Sequence, residues 1–150
     1  MISDYEQELT TNGGQLFNAG DGTAEYGAKS YDMKVAGFGN PAIGEGAYAC
    51  FEVVDADSDV GTSLDLELVA ADDGAGTNEV SLGKKSAVLV ANLTRYARHV
   101  VAIDPTVAVA ATNQYILAKV TTHGGAATVG KILATLHKGA YTLPVNAGVA

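Results

Sequence analysis

Tryptophan is absent, cysteine occurs once, proline three times, and charged residues fill only 17% of the 150 positions. Each shortage closes off a class of protein. A single cysteine, Cys50, makes no internal disulfide, so no oxidising compartment is implied. In the run Tyr48-Ala49-Cys50-Phe51 its thiol reads as a small buried hydrophobe. So few prolines set the chain apart from proline-rich disordered sequences. No apolar run approaches the ~20 residues of a membrane span. The opening MISDYEQELTT is acidic and polar, unlike a signal or transit peptide, which predicts a chain made and kept in cytosol-like conditions. A net charge of −8 lacks the basic footprint that a nucleic-acid partner requires. His99, His123 and His137 have no H-x-H, H-E-x-x-H or Cys-x-x-Cys spacing, so no zinc site is supported. G-x-S-x-G is missing too. The expectation is a protein without catalysis and without a cofactor.

What is present is a chain 47% hydrophobic, rich in Ala, Val, Leu and Gly. At this length folding buries about 70% of the surface exposed by the unfolded chain, enough for one real core. The dominant period is two, the mark of strands with one dry face and one wet face. Leu64-Asp65-Leu66-Glu67-Leu68 is the clearest case, leucines inward and acids outward. Ala49, Phe51 and Val53 alternate with more polar neighbours. Ile116, Ala118 and Val120 alternate with Tyr115, Leu117 and Lys119, and Gly130, Ile132, Ala134 and Leu136 with Val129, Lys131, Leu133 and Thr135. A β-branched run, Val100-Val101-Ala102-Ile103, stops at Asp104-Pro105. Residues 86–100 are ambiguous, but their valines favour β, and residues 2–9 have room for a turn or two of helix. Turn signals lie at Asn12-Gly13-Gly14, Gly20-Asp21-Gly22, 72–76 and His123-Gly124-Gly125, the last short enough to suggest a hairpin. About eight strands at this spacing predict an all-β sandwich or barrel.

Charge divides unevenly along the chain. Residues 1–75 carry 15 Asp and Glu against two lysines, and residues 76–150 carry two acids against seven Lys and Arg. The split either places complementary charge across a subunit contact or vanishes as interleaved strands mix the halves.

Three stretches invite a chemical reading. Gly37-Phe38-Gly39-Asn40-Pro41-Ala42 satisfies G-x-G-x-x-G/A, and a strand ending on Asp55 and Asp57 follows. A dinucleotide site needs a helix directly behind those glycines. The next strand begins near Gly46, whereas a parallel crossover takes about a dozen residues. The match is a decoy. Asp55-Ala56-Asp57-Ser58-Asp59 resembles a calcium loop, with Asp55, Asp57 and Asp59 as candidate ligands, but Gly61 and Glu67 fall one place late for an EF-hand. A solvated acidic turn explains the same residues. Sugar binding is the rival for a sandwich. Tyr26, Tyr31, Tyr48, Tyr96, Tyr115 and Tyr141 would be its aromatic platforms, although their spacing makes no row.

Four stretches together carry a family resemblance. The chain opens Met1-Ile2-Ser3-Asp4 and passes through a Gly/Ala/Thr segment, and Gly37-Phe38-Gly39-Asn40-Pro41 precedes the aromatic-led AYACFEVV. SLDLELVAADDG ends in an acidic Gly turn, and QYILAKVTTHGGAATVGKILATL brings a Tyr-led strand, a Gly turn and a closing strand. In this order they resemble the phage capsid cement (decoration) proteins of the Bordetella podophage type. The resemblance implies a jelly-roll-like antiparallel β-sandwich with extended termini: an N-terminal arm over 1–20, a sandwich over 21–137 and a tail over 138–150. It implies a virion protein made in the host cytoplasm and placed on the capsid exterior. There it would bridge the major capsid protein of an HK97-like shell and associate with itself, as a homodimer before a trimer. Strand addition at a sheet edge is one mode of contact, with the ends ordered by a neighbour. The alternative is a β-sandwich module for carbohydrate or calcium.

Overall fold

The computed structural model describes residues 6–17, 22–33, 47–58, 63–104, 106–124 and 129–138. Ten strands form among the described residues: β1 (Glu6–Glu8), β2 (Gln15–Leu16), β3 (Ala24–Tyr26), β4 (Tyr31–Asp32), β5 (Ala47–Ser58), β6 (Ser63–Ala71), β7 (Val80–Leu89), β8 (Arg98–Ala102), β9 (Tyr115–His123) and β10 (Val129–Lys138). They make two five-stranded antiparallel sheets. The first runs β1-β10-β5-β8 with β2 also on β10, and the second runs β3-β9-β6-β7 with β4 also on β9. The fold is an all-β sandwich.

The pairings nest. β1 and β2 pair with β10, β3 and β4 with β9, β5 with β8, and β6 with β7. The chain is one long hairpin with its tip at the β6–β7 turn, rolled so that successive rungs fall in alternate sheets. Lateral pairs β10–β5 and β9–β6 close the roll. This is the connectivity of a jelly roll.

Alternation explains the core. Leu64, Leu66, Leu68 and Ala70 of β6 lie beside Thr122, Val120, Ala118 and Ile116 of β9. Facing them from the first sheet, Ala49, Phe51 and Val53 of β5 register with Leu136, Ala134 and Ile132 of β10. All are buried, and each large side chain stabilises the fold by roughly 1.5–3 kcal/mol.

Two glycines bring the sheets together at their edges. A Cβ on Gly27, just after β3, would sit 2.0 Å from the Leu9 carbonyl oxygen that follows β1. One on Gly83 of β7 would sit 2.1 Å from the Ala102 carbonyl of β8. Backbone bonds hold both seams: Lys29 N–H donates to the Leu9 carbonyl (3.3 Å) at one, Asp104 N–H to the Leu82 carbonyl (2.8 Å) at the other. At the first seam the Gln15 side chain donates to the Tyr26 carbonyl (3.0 Å) and accepts from Ala28 N–H (2.7 Å). A side-chain amide thus occupies edge positions of β3 that a foreign strand would use, which counters strand addition there.

Four expectations are corrected. Residues 6–8 are strand, not helix, because β10 offers them a ladder. Residues 6–17, expected inside a free arm over 1–20, are built into the sandwich, with Leu9 and Phe17 buried in the core. His123-Gly124-Gly125 does not turn a hairpin, since β9 and β10 belong to different sheets. Residues 55–58 continue β5 rather than forming an acidic turn. The glycine fingerprint at 37–42, Asp59 and the tail from 139 to 150 lie outside the described residues.

The charge split disappears in space. Acid-bearing β6 lies between base-bearing β7 and β9, and Glu52 of β5 meets Arg98 of β8 at 3.4 Å. The interleaved strands mix the two halves.

Candidate functional site

A group of interacting ionisable side chains lies on the outer face of the second sheet. Period two sends Asp65, Glu67, Val69 and Ala71 of β6 to that face, and β9 places Thr121, Lys119, Leu117 and Tyr115 beside them. Val69, Ala71 and Leu117 form a small apolar patch against Tyr26. The acids read from the sequence as outward and wet are therefore outward and nearly dry: Asp65 is 9% exposed and Glu67 8%. Buried carboxylates need partners.

Asp65 has three. Its Oδ1 accepts from Ala87 N–H (2.9 Å), and its Oδ2 meets Lys84 Nζ (3.2 Å) and His123 Nε2 (2.9 Å). The Ala87 contact arises from a bulge. Leu64 registers with Val88 but Leu66 with Lys85, so Ser86 and Ala87 together oppose Asp65. Ala87 takes φ 54° and aims its N–H at the carboxylate. Burial alone would raise the pKa of Asp65, but the Ala87 N–H, His123 and Lys84 outweigh it and hold the carboxyl below its ordinary range. Two strands away, Glu79 accepts from the Tyr26 hydroxyl (2.6 Å) and pairs with Lys119, whose ammonium stands 5.9 Å from the Tyr26 ring centroid. Burial, then Glu79, pushes the Tyr26 hydroxyl up to about 12, so it stays a donor.

The structure separates the three histidines. His99 of β8 plugs the β7–β8 seam. Lys85 Nζ donates to its Nδ1 (3.1 Å), which leaves the ring proton on Nε2, donated to the Asn92 carbonyl (3.2 Å) in a 3-10 turn at Val90–Asn92. Burial and then the Lys85 charge hold its pKa below the ordinary 6.5. His123 ends β9 against Asp65. His137 of β10 stacks on Tyr48 at 4.9 Å between centroids, with its Nε2 2.9 Å from Thr135 Oγ1. A general base needs a pKa near the working pH and a lone pair within reach of substrate. The Asp65 carboxylate is held too acidic for that, and both nitrogens of His99 are already engaged.

Of the candidate calcium ligands, Asp55 stands exposed on β5 opposite Lys131, and Asp57 is two places on in the same strand. Among the described residues no three His, Cys, Asp or Glu side chains gather closely enough to hold a metal ion.

The tyrosines scatter. Tyr31 is buried, Tyr26 and Tyr48 are engaged as above, and Tyr115 is half-buried at the start of β9. Tyr141 lies outside the described residues. Tyr96 is 65% exposed, the one large aromatic so placed among the described residues. Its prominence was hidden in the ambiguous stretch 86–100, which divides into the end of β7, the 3-10 turn, a tight turn and the start of β8. The Arg95-Tyr96 pair at that break was the only available signal.

No protein-family model matches the chain, and no curated protein matches it at a meaningful level of similarity. What its residues and geometry establish is an all-β sandwich in which buried Asp65 is met by Lys84, His123 and the Ala87 N–H.

Proposed function

We propose that this chain is a structural virion protein, a capsid cement or decoration protein that binds the outside of an HK97-like shell and bridges neighbouring major capsid protein subunits. One observation carries the reading. The ionisable groups that a catalyst would hold ready for a substrate are engaged with one another: Asp65 with Lys84 and His123, Glu79 with Lys119 and Tyr26, His99 with Lys85. A jelly roll with both described seams drawn shut is a stiff body suited to presenting surfaces. The order of sequence features that resembles the Bordetella podophage cement proteins supports the same role. A fold of this kind serves capsids and lectins alike, so the fold by itself does not choose between them.

Bridging at a lattice works through repetition. Contacts of modest strength, repeated at every equivalent position, make shedding slow. The test is to add the purified chain to expanded heads that lack it, then to measure bound copies per head and the temperature at which heads release DNA. Saturable binding at a lattice stoichiometry with a higher release temperature is expected. Heads that neither bind the chain nor change their release temperature refute the role.

A further inference from the structure

Three residues other than glycine adopt positive φ among the described residues: Asn78 (52°), Ala87 (54°) and Tyr96 (69°). This left-handed region costs any L residue with a Cβ, and bulky residues rarely occupy it. Two of the three have an internal reason. Asn is tolerant of the region, and Asn78 Nδ2 donates to Asp72 (2.9 Å) inside the β6–β7 turn. Ala87 forms the bulge that satisfies Asp65.

Tyr96 has none. Its N–H donates to the Val53 carbonyl (2.7 Å), a bond that glycine would make equally well. Its ring contributes nothing to the core. Yet the turn carrying it is fixed. Val53 N–H donates to the Ala97 carbonyl (2.9 Å), Ala97 N–H to the Thr94 carbonyl (2.9 Å), and buried Leu93 ties the turn to the core. Arg95 is held too: its Nε donates to the Val54 carbonyl (3.2 Å), and its guanidinium stands 5.1 Å from the Tyr96 ring centroid. Strain kept at an exposed side chain, with the surroundings over-determining it, points to use of that side chain.

We infer that the turn at 94–97 is a preorganised anchor, whose Tyr96 ring and Arg95 guanidinium seat in the surface of a partner protein. Tyrosine and arginine are the residue types that most often dominate protein interfaces. Here both are held before contact, so little rotamer freedom remains to be lost on binding. One face of the ring is already taken by the guanidinium, and the Nη groups remain donors for carboxylate or carbonyl oxygens. That composition fits an apolar socket with an acidic rim better than it fits a sugar stacked on the ring. The inference rests on the cement-protein reading, and the partner it names is the major capsid protein.

Tyr96→Gly tests it, because the substitution removes the ring and relieves the backbone at once. The variant should melt at or above the parent temperature while its affinity for expanded heads falls about 30-fold or more, the loss typical of a hot-spot residue. Parent and variant binding heads equally well would overturn the anchor and leave the cement role standing. A parent chain that fails to bind heads would overturn both. Release of the bound parent by free saccharides would assign the turn to a glycan and overturn the protein partner.

Discussion

The two seams of the roll close by the same device and rely on different chemistry. At each, a glycine lets one backbone lie against the carbonyl of the opposite sheet, Gly27 on Leu9 and Gly83 on Ala102. The first seam is completed by a neutral amide, Gln15, that supplies a donor to Tyr26 of β3 and an acceptor to Ala28 just beyond it. The second is completed by a titratable ring, His99, held neutral between a lysine ammonium and a carbonyl. The lesson is that similar geometry need not respond alike to its surroundings. The first seam should ignore pH, and the second should not.

The largest effects should come from the glycines. Gly27→Ala and Gly83→Ala each drive a methyl into a carbonyl oxygen, where only backbone can yield. Each should cost about 3 kcal/mol or more, roughly a 10 °C fall in melting temperature. A near-parental melting curve for either would show that its seam is looser than drawn.

Gln15→Glu sharpens the contrast. The carboxylate still accepts from Ala28 N–H but cannot donate to the Tyr26 carbonyl, a loss of about 1–3 kcal/mol at neutral pH. Protonation restores the donor, so this variant should recover part of its stability in acid, as denaturant titrations at several pH values would show.

Smaller again, and of opposite sign, is the pH response of the second seam in the parent. The folded His99 ring binds its proton less tightly than the free ring, whose ordinary value is 6.5. Unfolding therefore takes up a proton between the two values. The seam's contribution is whole above about pH 6.5 and is lost as pH falls below it. Asp65, also depressed in the folded state, withdraws its share only below its ordinary 3.8, so the two windows separate. His99→Gln should flatten the melting temperature between pH 7 and pH 5 while leaving the acid limb. An unchanged slope would remove His99 as its source.

Much of the sandwich was legible as alternation. Leu64, Leu66 and Leu68, or Ile132, Ala134 and Leu136, announce strands because one face of each is dry for its whole length. The short strands β1 to β4 were not legible. Two or three residues cannot display a period, and their strand state comes from ladders offered by β9 and β10, far off in sequence. β7 was obscured by Gly83 and by the bulge at Ser86-Ala87, which shifts its inward positions. The burial of Asp65 could not be read locally, since its partners Lys84 and His123 arrive from two other strands. Sites built by register across strands leave little trace along one.

The nested pairing also dictates an order of assembly. The β6–β7 rung closes over a short turn at 72–79, while β1 must wait for β10 to be synthesised before Glu6 can meet His137. Each outer rung encloses a longer loop, and the entropy of closure grows with that length. Folding should therefore zip from the tip outward and finish slowly, as chains rich in distant contacts do. Until that last rung forms, Leu9 and Phe17 have no core to enter, and a nascent chain exposes both.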